Sequence, residues 1–177
     1  MKMTNLSRIL GVLGTVLLLA FLGGCSSSVP TARNFNLKIE IDPALAGSSI
    51  QLDIVGANAV SDLPKWQTYS VSDYWQPGDA MRRDSDKAVI HFGHGKETVQ
   101  VFSGTNPIWD RWVRTGALYI VVLVDLPGLA ADRDGNADPR RLILPLDTHE
   151  WPSDVTTIEL RVQESGIRLL TPKSIRK

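Results

Sequence analysis

The chain has 177 residues, of which 43% are hydrophobic and 21% are charged, and this is the composition of an ordinary globular protein. Its 19 lysine and arginine residues are balanced by 19 aspartate and glutamate residues. This balance excludes a dedicated nucleic-acid-binding protein, because such proteins carry an excess of positive charge. The composition also excludes collagen, a coiled coil and a wholly disordered chain.

Residues 1–24 have the pattern of an export signal peptide. Lys2 and Arg8 give the segment a positive start, and residues 9–22 form an apolar run interrupted only by glycine and threonine. This run is shorter than the usual membrane-spanning helix. We therefore expect the segment to direct export and then to be removed.

A lipid-modification motif follows directly. The residues Leu22-Gly23-Gly24-Cys25 resemble the lipobox of bacterial lipoproteins, which has leucine three positions before the cysteine and small residues between them. The resemblance implies that Cys25 becomes the first residue and carries a diacylglycerol group and a fatty acid such as palmitate. Because Ser26 is not an aspartate, it also implies lipid anchoring to the outer membrane, facing the periplasm. The alternatives are a secretory signal with an incidental cysteine and an anchor helix that is not cleaved.

A polar tether, residues 25–34, leads into one domain over residues 35–170. Apolar and polar residues alternate over residues 35–41 and 50–54, which is the pattern of half-buried strands. The same alternation recurs at Ile90 and Phe92, Val99 and Val101, Leu142, Leu144 and Leu146, Ile158, Leu160 and Val162, and Ile167 and Leu169.

Residues 117–126 differ, because they form an almost unbroken apolar run rich in β-branched residues. Such a strand is buried on both faces, so we expect it at the centre of a sheet. Residues 59–86 and 105–115 are inserts that can each hold a short helix. Residues 164–166 predict a hairpin turn, and residues 171–177 form a basic tail. The whole pattern predicts an all-β, antiparallel β-sandwich of seven or eight strands with short helical inserts.

The segment 132–138 is the strongest candidate for a metal site. Asp132, Asp134 and Asp138 offer carboxylates around Gly135, as the middle of a calcium loop does. The acidic residues that open and close an EF-hand loop are missing, however. We therefore favour a solvated turn without a metal, and we predict no cofactor beyond the lipid.

Trp75, Trp109 and Trp112 are candidates for a partner-binding surface, because tryptophan is enriched at interface hot spots. The interpretation that we favour for these aromatic side chains is that they close the ends of the sandwich as core residues. The two interpretations differ in whether the indole rings reach the surface.

Other polar residues form no catalytic pattern, and we predict that the protein is not an enzyme. His91, His94 and His149 are spaced unsuitably for zinc, and no nucleophile elbow is present. The basic doublets at residues 82–83 and 140–141 are solvated charges in the simplest interpretation. Contact with anionic lipid head groups or an acidic partner is the alternative.

The order of these features resembles the type VI secretion system outer-membrane lipoprotein, a small anchoring subunit of an envelope complex. Besides the lipobox, the resemblance rests on Pro77-Gly78, the apolar strand at residues 118–124, Arg140-Arg141 and Trp151. It implies a transthyretin-like sandwich, an envelope protein partner and an anchoring or assembly role. In that family a loop between early strands, here residues 42–49, meets a membrane partner. The alternative is a ligand- or calcium-binding envelope lipoprotein that uses residues 132–138.

Overall fold

A computed structural model describes residues 30–126, 128–129 and 132–174 of the chain. This part contains eight strands and four short α-helices. The strands are β1 (Asn36–Ile41), β2 (Ile50–Asn58), β3 (Lys87–Phe92), β4 (Val99–Phe102), β5 (Ala117–Val124), β6 (Arg141–Pro145), β7 (Thr157–Gln163) and β8 (Gly166–Leu169). The helices are α1 (Leu63–Thr68), α2 (Val71–Tyr74), α3 (Ala80–Asp84) and α4 (Ile108–Arg114). Of the helices in this described part, none is long and apolar enough to span a membrane.

The strands form two four-stranded sheets, in the orders β4-β1-β7-β8 and β3-β2-β5-β6. This mostly β architecture with few helices is consistent with the predicted β-sandwich. All neighbouring strands are antiparallel except β1 and β7, which are parallel, so the prediction of a purely antiparallel sandwich is wrong at this pair. The whole second sheet lies between β1 and β7 in the chain, and a long connection permits the parallel pairing that a hairpin forbids.

The inner faces of the two sheets contribute to one main core. It contains the apolar residues predicted to alternate along β1, β2, β3 and β7, namely Leu37, Ile39, Ile41, Leu52, Ile54, Ile90, Phe92, Ile158, Leu160 and Val162. β4 departs from the prediction, because Val99 and Val101 are exposed and Phe102 is buried. The pairing of Phe102 with Leu37 sets this register and directs both valines outward.

A second apolar cluster covers the outer face of the second sheet. Helices α1 and α2 bring Trp66, Val71 and Tyr74 onto β2 and β5, where they pack in one cluster with Val121 and Leu123. β5 therefore has buried side chains on both faces and lies between β2 and β6, as its apolar run predicts. The inserts contain the short helices that their lengths allow.

The outer face of the first sheet has charged side chains instead. Lys38 on β1 pairs with Glu159 on β7 at 3.1 Å, and Glu40 pairs with Arg161 in the next row. These four side chains are between 23% and 44% exposed. This face thus matches the half-buried pattern of residues 35–41, with apolar side chains inward and polar side chains outward.

Candidate functional site

The segment 132–138 is a corner held by arginine rather than a solvated turn. Asp138 is fully buried and accepts hydrogen bonds from the Arg140 backbone N–H at 2.9 Å and from Nε and Nη2 of the same residue at 3.3 Å. The Arg140 side chain is only 7% exposed. A buried carboxylate requires such a partner, because an unpaired charge away from water is strongly unfavourable.

Asp132 connects this corner to the helical insert. Its carboxylate accepts hydrogen bonds from the Ser70 hydroxyl at 2.7 Å, the Ser72 backbone N–H at 2.9 Å and Arg140 Nη2 at 2.6 Å. Burial by itself would raise the pKa of Asp132, but the hydrogen bonds from Ser72 and Ser70 and the charge of Arg140 lower it below its ordinary value. The loop and the start of α2 are therefore held together by a charged carboxylate.

Arg141 is buried as well, and no carboxylate among the described residues binds it directly. Its guanidinium donates to the backbone carbonyls of Gly135 at 2.9 Å, Trp66 at 2.8 Å and Tyr69 at 2.6 Å, and also to that of Arg133. Burial lowers the pKa of Arg141, while nearby aspartate charges oppose this shift. The interpretation of residues 140–141 as solvated charges is therefore wrong, because both side chains are buried: Arg140 joins the acidic corner to Ser72 of α2, and Arg141 joins it to α1.

This geometry bears directly on the calcium hypothesis. The oxygens of Asp132 and Asp138 already accept hydrogen bonds from arginine and serine, and only Asp134 of the three candidates lacks such a partner within the described residues. No three histidine, cysteine, aspartate or glutamate side chains cluster as a possible metal site in this described region. A cation would have to displace Arg140, so the geometry does not favour the calcium-binding alternative.

Asp53 is a buried polar residue that sequence reasoning missed. The alternation along β2 suggests that it faces solvent, yet it is fully buried beneath the insert. It accepts hydrogen bonds from Gln51 Nε2 at 2.8 Å, the Tyr74 hydroxyl at 2.9 Å and Arg82 Nε at 2.9 Å. Burial, followed by the charge of Asp53, raises the pKa of Tyr74. The arginine at residue 82 is thus paired inside the fold as well.

The three tryptophan candidates do not form one surface. Trp109 and Trp112 lie in the main core, 0% and 2% exposed, with ring centroids 5.1 Å apart. Their indole N–H groups donate to the backbone carbonyls of Ser103 and Asp86. Trp75 is half-buried and lies elsewhere, with the Arg82 guanidinium 4.3 Å from the ring centroid. The placement of Trp109 and Trp112 matches the core interpretation.

The histidines are spread over the surface. His91 and His94 are exposed on and beside β3, and His149 pairs with Asp147 at 2.8 Å. At the basic tail, Lys173 lies 6.0 Å from the ring centroid of Trp151, and residues 175–177 lie outside the described residues.

Cys25, the predicted lipidation site, also lies outside the described residues. The chain that follows is attached to the domain from its first described residues. Thr31 accepts a backbone hydrogen bond from Thr148 at 3.0 Å, and the Arg33 backbone N–H donates to Leu146 at 3.0 Å. The entry of the chain is therefore fixed at the end of the sandwich where β1 and β7 begin.

The loop of residues 42–49 lies at the opposite end, after the last residue of β1. Asp42 caps a 3-10 turn, Pro43–Leu45, by accepting a hydrogen bond from the Ala44 backbone N–H at 3.0 Å. Leu45 is buried and fixes the loop to the core, whereas most of its other residues are exposed. The loop is thus a fixed, exposed surface made almost entirely of small uncharged residues.

The fold defines a class of protein in which two four-stranded sheets face each other and short helices lie in the inserts. Solved structures of type VI secretion proteins share this fold. The membrane-bound component Lip of Serratia marcescens aligns with a TM-score of 0.51 and 13% identity over 80% of this chain and 98% of that chain. A chain from a structure described as a type VI membrane complex aligns with a TM-score of 0.51 and 14% identity over 79% and 99%. No protein-family model and no curated protein matches the chain.

Proposed function

We propose that the protein is a non-enzymatic envelope lipoprotein, anchored by acyl chains on Cys25, that serves as an anchoring or assembly subunit of a type VI secretion membrane complex. The observation that carries this proposal is the fold correspondence with the Serratia marcescens membrane-bound component, which spans 98% of that chain. The lipobox-like residues 22–25 support it independently. On the same grounds we assign the sandwich to the transthyretin-like type.

The lipid would hold one end of the domain close to the outer membrane on its periplasmic side. Pro30 is five positions after Cys25, so the two residues can be at most roughly 17 Å apart even if the chain between them is fully extended. From Thr31 onward the backbone is bound to the segment after β6. The end of the sandwich that carries Pro30, Asp147 and Lys173 therefore faces the bilayer in this proposal.

The same arrangement directs the loop of residues 42–49 away from the membrane. β1 begins at the anchored end and, with six residues, extends about 20 Å to the loop. An exposed surface at that distance is accessible to the periplasmic part of an envelope partner. In this proposal the lipid on Cys25 holds the domain in place and the far end of the sandwich contacts the partner.

The anchor is tested by Cys25→Ser in cells, followed by membrane fractionation and a carbonate wash. We expect the variant to leave the membrane fraction or to accumulate as an uncleaved precursor, because Cys25 is the only cysteine in the sequence and serine cannot carry the thioether-linked lipid. Ser27→Ala is the matched control and should remain anchored. A Cys25→Ser chain that is cleaved yet stays in washed membranes would contradict the lipid anchor.

The assembly role is tested at the far loop with the double variant Ala44→Glu and Ala46→Glu. Both side chains are exposed, so the fold should be preserved while two charges enter a loop whose one charged residue is Asp42. We expect the variant to stay anchored but to lose co-isolation with the other membrane subunits of the secretion system. Ser153→Glu, at the anchored end, is the control. Equal co-isolation of both variants would contradict the role of this loop.

A further inference from the structure

The lateral edge formed by β6 is closed by its own neighbours. The Asn136 side-chain amide donates to the Ile143 carbonyl at 3.2 Å and accepts from the Ile143 N–H at 2.5 Å, so it imitates a paired strand. Pro145 has no N–H, and its carbonyl accepts from the Trp151 indole at 3.0 Å. Natural proteins commonly cover edges in such ways, because open edges recruit other strands.

The neighbouring edge of the first sheet, β8, is closed in part. The Ile167 N–H donates to the Pro139 carbonyl at 2.7 Å, which links β8 to the segment before β6. Gly166 permits this contact, because a Cβ there would lie 2.2 Å from the Pro139 oxygen and its φ is +127°. On this lateral side the outward groups of Ile143, the Pro145 carbonyl and the Ile167 N–H therefore already have partners.

The opposite lateral side, formed by β3 and β4, is open. The Ile41 N–H donates to the Thr98 carbonyl at 2.9 Å. In an antiparallel pair, residues bonded to the neighbouring strand alternate with residues whose backbone groups point away. Thr98 and Gln100 consequently face β1, whereas the N–H and C=O groups of Val99 and Val101 point out of the sheet. No turn or side-chain hydrogen bond within the described chain reaches them.

The backbone groups of β3 alternate in the same way: those of Ile90 and Phe92 face β2, and those of Val89 and His91 point out of the sheet. The Gln100 side-chain amide donates to the outward-pointing carbonyl of His91 at 2.7 Å. Val89, two residues earlier, has its backbone groups directed the same way. Gln100 therefore covers one carbonyl of this side, and the positions of the three valines remain uncovered by the described residues.

Exposed apolar side chains coincide with this open backbone. Val101 is 61% exposed, and Val89 and Val99 are each 42% exposed, so three of the five large exposed hydrophobic residues of the described chain lie on these two edges. β4 itself contains no charged residue, proline or bulge that would discourage pairing. The loop of residues 42–49 adjoins this side, since β1 enters it beside the start of β4.

We infer that β4 is a docking edge for an extended, uncharged segment of an envelope partner, which adds a fifth strand to the first sheet by pairing with Val99 and Val101. The identity of the partner as an envelope protein rests on the proposed function, whereas the availability of the β4 edge for pairing does not. The charges next to the valines, Lys38 and Glu40, already pair with β7, so a charged segment would lose hydration without gaining an ion pair. β-branched residues at alternate positions fit beside the two valines.

A second copy of the chain fits less well. Pairing β4 with β4 of another molecule would engage only four residues on each side. Stable interfaces bury roughly 1,000 Å² or more, which needs many more residues than that. A partner that also contacts residues 42–49 would bury a larger and continuous surface.

The test uses the full chain in detergent micelles and a fluorescent seven-residue peptide of alternating threonine and valine with blocked ends. We expect saturable binding by fluorescence anisotropy and slower amide exchange at residues 99–101, with no change at residue 143. Val101→Pro removes the outward N–H without removing a bond to β1, and should weaken binding about tenfold or more. Val101→Thr keeps this N–H and should bind within about threefold of the original chain.

A peptide with an N-methyl group on every residue has no backbone N–H on either edge, and it gives a control that does not depend on the folding of any variant. It should fail to bind, and a peptide of alternating threonine and glutamate should bind at least about tenfold more weakly. Equal binding of the N-methylated peptide, or absence of saturable binding, would overturn the inference. Self-association lost in Val101→Pro, without peptide binding, would overturn it in favour of a second copy. None of these results depends on Cys25, so failure of the edge and failure of the anchor are distinguishable.

Discussion

The outer faces of the two sheets show how the surroundings change the role of the same residue types. On the first sheet, arginine, lysine and glutamate form cross-strand pairs that solvent reaches. On the second sheet, the helical insert covers Asp53, and the acidic corner buries Asp138 and both arginines of residues 140–141. Exposed pairs contribute little to stability, whereas removal of one partner from a buried pair is costly. The stability of the outer face of the second sheet, the covered face, therefore depends on each of its charged residues. The stability of the outer face of the first sheet, the bare face, does not.

The largest expected effect is at the acidic corner. Arg140→Ala leaves Asp138 buried without its cation, and we expect the free energy of unfolding to fall by about 3–5 kcal/mol. Denaturant unfolding followed by tryptophan fluorescence measures this loss. Arg161→Ala, on the bare face, is the control and should cost no more than about 1 kcal/mol. Similar losses for the two variants would remove the contrast between the faces.

The contact between β2 and α4 gives the next effect. A Cβ on Gly56 would lie 2.3 Å from Trp112 Cγ, so Gly56→Ala should destabilise the chain by about 1–3 kcal/mol through overpacking. Gly93→Ala is a matched control, because nothing lies within 4 Å of its added Cβ, and it should change stability by no more than about 0.5 kcal/mol. The same denaturant experiment measures both, and an unaffected Gly56→Ala chain would show that α4 can shift away.

The bare face is examined by a double-mutant cycle on Lys38 and Glu159. The two side chains are 38% and 44% exposed, so we expect a coupling free energy of about 0.2–1 kcal/mol. The coupling should decrease further in salt, because solvent screens exposed charges. A coupling that is large and insensitive to salt would mean that this face is covered in solution.

The last effect is a titration on the outer face of the second sheet. A hydrogen bond to Asp79, followed by burial, raises the pKa of Tyr69 from 10.0 to about 12. Above pH 10 the unfolded state therefore loses this proton before the folded state does, so the stabilisation is complete below pH 10 and is lost as pH rises towards 12. Absorbance of tyrosinate in the original chain minus that in Tyr69→Phe should show a transition near pH 12. A difference transition near pH 10 would contradict the bond to Asp79.

Strand positions were predictable from the sequence where one face of a strand is bare. Residues 35–41 alternate in sequence and in burial, because solvent contacts their outer side. Residues 117–126 were also predictable, since a strand that is apolar throughout needs cover on both faces. The hairpin turn after β7 followed from Gly166, whose positive φ favours glycine.

The polar network under the insert was not predictable from spacing. Asp53 occupies a polar position of an alternating strand, and its burial depends on an insert whose packing is a tertiary contact. Arg141 likewise resembles a surface charge until the carbonyls of residues 66, 69 and 135 surround it. One signal was available, because the doubly apolar β5 requires cover on its outer face, and its neighbour β2 must share that cover.

The central claim, a lipid-anchored envelope lipoprotein, is tested most directly by mass spectrometry of the protein purified from membranes. The account predicts that the first residue is Cys25, with a diacylglycerol group on its sulfur and an acyl chain on its amine. A chain that begins at another residue, or that has an unmodified thiol at Cys25, would contradict it.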